Sequence, residues 1–255
     1  MSHYRGTVAA VDPTHMRDFW NRRAREEPYF FVDDRRAYRD RELAGFWSAG
    51  EEDLDRLLAL LEVSIAPTNV VLDIGCGVGR LTRVIAARAA RVHALDISSE
   101  MIERAREHHS DLDNVEWIVG DGRSLEPLGE GSVDGCVSHV VFQHIPDPSI
   151  TLGYVREMGR VLRPGGWAAF QVSNDARVHR PPRRAGANPL GRLASALGRA
   201  PRGRADPAWL GSAVELEGVR DAAAQGGLEL ERVVGEGTQF CLIRARKAVG
   251  YSGDG

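Results

Sequence analysis

The chain has 255 residues, 43% hydrophobic and 27% charged, with a formal net charge of −3 at pH 7. That length suits one large α/β domain with an appended helical segment, and the charge excludes a global attraction to nucleic acid or anionic membranes. Three cysteines (Cys76, Cys136 and Cys241) without metal-type spacing read as free thiols in a reducing cytoplasm, with no metal, signal peptide or membrane-spanning run expected.

Residues 12–63 read as helical in pieces. Met16, Phe19, Trp20 and Arg23 fall on one helical face. An aromatic-rich segment follows with Tyr29, Phe30, Phe31 and Tyr38. Ser48 with Glu51 predicts a capping box ahead of the apolar stripe Leu54, Leu57, Leu58 and Leu61, and Pro67 closes the region. From residue 69 strands and helices alternate. Strands are expected at 69–74, 91–96, 115–119, 133–139 and 166–173, and helices at 79–89, 99–109 and 149–162. This alternation predicts a parallel sheet with helices on both faces and right-handed crossovers. A helix near 212–226 stops at Gly226-Gly227. Strand-like runs 228–234 and 239–246 then pair as an antiparallel edge hairpin. The expected organisation is a helical cap or lid over 1–63, a main domain over 64–247 carrying an insertion at 175–211, and a flexible tail at 248–255.

The first strand ends in an unusual way. Val71-Leu72-Asp73-Ile74-Gly75-Cys76-Gly77-Val78-Gly79 runs from apolar residues through an acid into a glycine-dense turn. The dinucleotide fingerprint G-x-G-x-x-G would place its third glycine at position 80, which is Arg80. Asp73 at the strand end would repel a pyrophosphate and suit a ligand bearing an ammonium group. The segment resembles motif I of the class I methyltransferases, a hydrophobic strand followed by D-x-G-x-G-x-G. The resemblance covers roughly residues 64–247. It implies a Rossmann-like, doubly wound sheet of seven mostly parallel strands with an antiparallel edge hairpin, and a helical cap at the N-terminus. S-adenosylmethionine is the implied methyl donor and S-adenosylhomocysteine its product.

Further acids follow the next strands. Asp96 ends the second strand, where an acid accepts two ribose hydroxyls. The resemblance implies that Ile97 and Met101 flank the adenine, that Asp121 beside Gly122 meets its amine, and that Asp73, Gly75, Cys76, Gly77, Gly79, Ser138 and Trp20 complete the cofactor site. Asp134 reads as structural. The acceptor pocket is expected after the fourth strand, with Phe142 and Gln143 as walls and with Tyr29 and Tyr38 from the cap. His144 matches the histidine that serves as general base in phosphoethanolamine-type members, in concert with an N-terminal tyrosine. A structural role is the alternative, and His139 is the second candidate base. Methyl transfer from a sulfonium is an in-line displacement, so the protein mainly aligns the partners and excludes water.

Residues 176–205 contain eight arginines and no acid. Lys247 is the only lysine among the 33 basic residues, so genome-wide bias accounts for part of this cluster. The segment reads as a lid, an anion contact or a solvated loop, with a short amphipathic helix at 190–197. No aromatic lies between Phe170 and Trp209, which disfavours RNA stacking. The expected function is methyl transfer to oxygen or nitrogen of a small molecule, in specialised-metabolite biosynthesis, by a monomer or homodimer with no membrane or nucleic-acid partner. Methylation of tRNA through the basic insertion, and a non-catalytic S-adenosylmethionine-binding module, stand as alternatives.

Overall fold

The computed structural model describes residues 12–180, 201 and 203–249. The run 181–200, with its expected helix at 190–197, lies outside the described residues. Seven strands form a sheet: β1 (Val70–Ile74), β2 (Arg91–Asp96), β3 (Val115–Val119), β4 (Val133–Ser138), β5 (Leu162–Val172), β6 (Leu228–Val234) and β7 (Cys241–Lys247). Their order is β3-β2-β1-β4-β5-β7-β6. The first five pair in parallel, and β7 inserts antiparallel between β5 and β6. Strand order reverses between β1 and β4, the place where open α/β sheets bind ligands.

Eight helices accompany the sheet among the described residues: α1 (Pro13–Glu26), α2 (Pro28–Val32), α3 (Ala44–Leu61), α4 (Thr82–Ala86), α5 (Ser99–His108), α6 (Pro148–Val161), α7 (Pro207–Leu210) and α8 (Leu216–Gln225). Successive strand residues point to opposite faces, and each face has its own core. Leu72, Cys136, Ala168 and Phe170 meet α6 and α8 through Val155, Met158, Val219 and Ala222. Val71, Val137, Ala169 and Leu242 meet α3 and α4 through Leu54, Leu57, Leu61 and Ile85. The leucine stripe of α3 therefore covers the sheet, while α1 and α2 lie over the strand ends.

Several element boundaries differ from expectation, three of them instructively. Helix α3 begins at Ala44, so Ser48 sits inside it, with Oγ donating to Gly45 O at 3.3 Å instead of capping. The Glu42 carboxylate takes the Ala44 N–H at 3.1 Å and starts the helix earlier. Helix α4 keeps only Thr82–Ala86 because turns continue through Leu81. Strand β5 begins at Leu162 and carries Pro164-Gly165-Gly166 across a register shift opposite Val133 and Gly135.

Close helix contact explains one glycine. A Cβ on Gly159 of α6 would lie 2.1 Å from the Gly226 carbonyl oxygen at the end of α8. Gly159→Ala is expected to cost about 1–3 kcal/mol of stability by overpacking. Urea unfolding checks this, with Gly129→Ala as the control because nothing lies within 4 Å of that site.

Candidate functional site

The site forms where β1, β2 and β4 end. Gly75 N and Cys76 N both donate to Leu95 O, at 2.7 and 3.1 Å, so the glycine turn is anchored on the neighbouring strand. Gly75 has φ of 76°, and a Cβ there would fall 2.4 Å from Val141 Cγ1. Only glycine allows that backbone course and approach. Asp96 closes the loop: its Oδ2 accepts from Gly77 N at 2.9 Å and its Oδ1 from Ser98 N at 2.8 Å. Asp73 is 3% exposed and accepts from Thr82 Oγ1 at 2.6 Å. Burial raises the Asp73 carboxyl to about 6, against the Thr82 hydrogen bond. Burial raises Asp96 as well, opposed by its backbone N–H partners.

These residues border a narrow cleft of about 120 Å³. Of the expected cofactor residues, Asp73, Gly75, Cys76 and Gly77 line it from the loop. Asp96, Ile97, Met101, Gly122 and Trp20 line it from the β2 side and the cap. Ligand pockets commonly reach about 300 Å³ or more. The cleft is therefore narrow for a nucleoside, and Met16, Trp20 and Phe31 of the cap form part of its lining. Tyr154 of α6 also reaches the cleft, a contributor that the sequence reading missed.

Several expected contacts differ. Asp121 lies outside the cleft lining. Its carboxylate accepts from Arg123 N, Ser124 N and Ser124 Oγ at 2.7–2.9 Å, the local turn bonding that an Asp-Gly pair favours. Gly79 packs beneath the loop against His109 and Trp117. Ser138 is fully buried and donates to Ile74 O at 3.0 Å, bracing β4 against β1. Tyr29 and Tyr38, expected as pocket walls, line neither cavity described here. The Tyr29 hydroxyl pairs with His108, and the Tyr38 hydroxyl donates to Glu26 at 2.7 Å.

A wider cavity of about 620 Å³ adjoins the cleft. Gln143 lines the wider cavity, Phe142 the narrow cleft, and His139 and His144 both. His144 Nδ1 lies 2.7 Å from Trp209 O, a carbonyl that can only accept, so Nδ1 carries the proton. The Gln143 amide nitrogen lies 3.2 Å from His144 Nε2 and donates to its lone pair. The Gln143 oxygen in turn accepts from Gln171 at 2.8 Å. His144 thus ties the strand β4 exit to α7, and burial lowers its basicity against the Trp209 bond. Of the two readings of His144, general base or structural residue, these hydrogen bonds fit the structural one. His139 has no hydrogen-bond partner, its Nδ1 is buried, and burial lowers it to about 4.

The second feature missed from sequence is a charge network. Arg80 is 4% exposed and reaches Asp53 at 2.8 Å and Asp33 at 3.7 Å. Arg35 bridges the same two acids at 2.7 and 2.6 Å. Burial works to raise both acids, but the arginines outweigh it and hold them below 3.8. A signal existed in the unexpected Arg80 of the glycine motif, but its partners lie 27 and 47 residues earlier. Among the described residues no group of His, Cys, Asp or Glu could hold a metal, and no helix is long and apolar enough to cross a membrane.

Residues 72–170 match a family model described as a methyltransferase domain. The chain is 33% identical over 160 residues to the biotin biosynthesis bifunctional protein of Teredinibacter turnerae, covering 54% of this chain and 27% of the relative. It is 37% identical over 121 residues to malonyl-[acyl-carrier protein] O-methyltransferase of Pectobacterium atrosepticum, covering 48% of this chain and 44% of the relative. The match thus spans less than half the length of either curated relative. Magnesium protoporphyrin IX methyltransferase from Synechocystis, solved with S-adenosylhomocysteine, superposes with a TM-score of 0.61 at 17% identity, covering 93% of this chain and 100% of that one. That likeness establishes the shared fold.

Arg80→Gln is expected to destabilise the protein by about 3–5 kcal/mol, since it removes one partner of a buried ion pair. The lowered acids contribute stability above the ordinary pKa of 3.8, lost as pH falls through their folded values. The variant should therefore differ from wild type at pH 7, and the difference should narrow as pH falls below 3.8, as denaturant titrations across that range would record.

Proposed function

We propose, on the match of residues 72–170 to a methyltransferase-domain model, that the chain is a class I S-adenosylmethionine-dependent methyltransferase that transfers a methyl group from S-adenosylmethionine to a small-molecule acceptor. The observation that carries this reading is the pair of carboxylates, Asp73 and Asp96, on either side of a glycine turn that opens into the cleft. A pyrophosphate would be repelled there, whereas a ligand with an ammonium group and ribose hydroxyls satisfies both acids. In this reading Asp73 faces the ammonium, Asp96 the ribose, and Ile97 and Met101 the adenine. Bound S-adenosylmethionine supplies an electrophilic methyl carbon on a cationic sulfur. The protein's contribution is to align the acceptor from the adjoining cavity and to exclude water with α1 and α2. The second cavity, which shares His139 and Val140 with the cleft, has the concave form and size of a small-molecule site.

Calorimetric titration with S-adenosylhomocysteine tests the assignment, and absence of binding would sink it. Asp96→Ala is expected to weaken binding by about 1.5–3 kcal/mol, the value of charge-assisted hydrogen bonds. Affinity should be level above about pH 6 and fall below it, because the raised Asp73 becomes protonated and neutral there. Asp73→Asn should remove that pH dependence along with part of the affinity.

A further inference from the structure

We propose that the methyl acceptor presents a carboxylate, held at the junction of the two cavities by His139 and Arg80, with its apolar body in the wider cavity. The inference rests on the methyl-transfer reading above and names the acceptor class for that site.

The junction first restricts what the acceptor can be. Six residues line both cavities: Phe31, Val32, Arg80, His139, Val140 and His144. An alcohol, a phenol or an ammonium must lose a proton to attack a methyl carbon, and that calls for a base. His144 has no lone pair to offer, since Gln143 donates to it. His139 is free of hydrogen bonds, but burial lowers it to about 4, with Asp53 opposing and Arg80 and Arg35 reinforcing. A group with so low a pKa holds a proton poorly. The nearby acids Asp33 and Asp53 are committed to Arg35 and Arg80. They are therefore not free to receive a proton or to seat an ammonium. A carboxylate has no proton to lose and needs no base.

The junction then offers what a carboxylate requires. Neutral His139 carries one N–H and has no hydrogen-bond partner. Arg80 Nε–H is buried without a partner, although its other nitrogens serve the network. Buried donors left unmade are costly, and an anionic oxygen satisfies them best. Arg56, also on the wider cavity, has no ion pair among the described residues. Asp34 on the same wall faces Arg204 at 3.6 Å.

The wider cavity suits an apolar body. The large hydrophobic residues exposed among the described residues are Leu60, Val178, Phe240, Val119 and Val249, and the first three line this one cavity. Phe240 is 55% exposed at its rim. Such clustering of exposed apolar side chains marks a binding surface.

The step balances without a further reagent. A carboxylate oxygen lone pair forms the O–CH₃ bond, and the S–CH₃ bond breaks with its electron pair passing to sulfur. The sulfonium charge and the carboxylate charge cancel, giving a methyl ester and S-adenosylhomocysteine, and no proton moves.

Binding to the full chain without methyl donor provides the test. Decanoate and 4-phenylbutanoate would be titrated calorimetrically against decanamide, decan-1-ol and decylamine. The acids are expected to bind about tenfold or more tightly than the matched neutral and cationic compounds. His139→Leu should reduce that preference to about twofold, with His139→Asn, which keeps a donor, retaining part of it. Methyl-labelled S-adenosylmethionine with decanoate should then yield label released as methanol by mild base. Equal or tighter binding of the amide, alcohol or amine overturns the proposal, as does failure of both acids to bind. Base-stable label also overturns it. These comparisons on the unaltered protein stand even if a His139 variant fails to fold. Failure of S-adenosylhomocysteine to bind, with acid preference intact, would instead remove the methyl-transfer reading.

Discussion

Two acids at the ends of adjacent parallel strands, neither ion-paired to a basic side chain among the described residues, are the constraint around which the site is arranged. Burial raises the cost of ionising Asp73, and the nearby Asp96 carboxylate adds to it. The fold offsets this by hydrogen bonding. Thr82, the first residue of α4, donates to Asp73, and the Gly77 and Ser98 N–H groups donate to Asp96 and hold the loop against the end of β2. Arg80 acts on Asp73 through space, but its guanidinium is bound elsewhere. What these bonds leave unmet is a demand for positive charge, and it faces the cleft.

Arg80 connects that loop to the cap. Its stem passes under Gly50 of α3, where a Cβ would lie 2.7 Å from Arg80 Cγ. Its head group meets Asp53 of α3 and Asp33 just after α2. One side chain thus joins the glycine motif, the helix that covers the sheet and the segment above the strand ends. It also forms part of the wall between the narrow cleft and the wider cavity. Any movement of α2 that admits a nucleoside must be accommodated by this network, whose four charges balance as two acids and two arginines.

Strong local patterns made much of the fold legible. The strands β2, β3 and β6 begin and end where alternation and flanking turns place them, because each is short and bounded by turn residues. The glycine motif was readable because a run of apolar residues ending in an acid has few other uses. Boundaries failed where a competing local bond intervened. Glu42 rather than Ser48 starts α3, and β5 runs through Pro164-Gly165-Gly166 by shifting register. Asp134 shows the structural role read for it, accepting from Val70 N and Arg163. Side-chain roles that depend on distant partners were not legible. His144 reads from sequence either as a general base or as a structural residue, and the deciding partner, Trp209 O, lies 65 residues away. Tyr29 and Tyr38 turn to His108 and Glu26, pairings that no local spacing announces. Asp121 keeps its carboxylate for its own turn, as Asp-Gly sequences tend to do.

The distribution of polar satisfaction around the two cavities separates holding from reacting. His144, Gln143 and Gln171 form a connected chain, with Gln171 passing on to Gln239 O at 2.6 Å, so β4, β5, α7 and the β6–β7 turn are fixed relative to one another. A side chain whose donors and acceptors are all in use has little left for a ligand. Two buried polar atoms without a partner, His139 Nδ1 and Arg80 Nε, belong to residues that border the cavities, and Asp73, held by Thr82, lines the narrow one. Buried polar groups without partners cost stability. A ligand that supplies a cation to Asp73 and an anion to His139 and Arg80 removes that cost on both sides of the junction. Because such ligands bind the folded chain alone, occupancy of either cavity adds to stability by mass action. On the carboxylate-acceptor proposal, these groups would favour opposite charges in the two cavities and so orient a cationic donor toward an anionic acceptor.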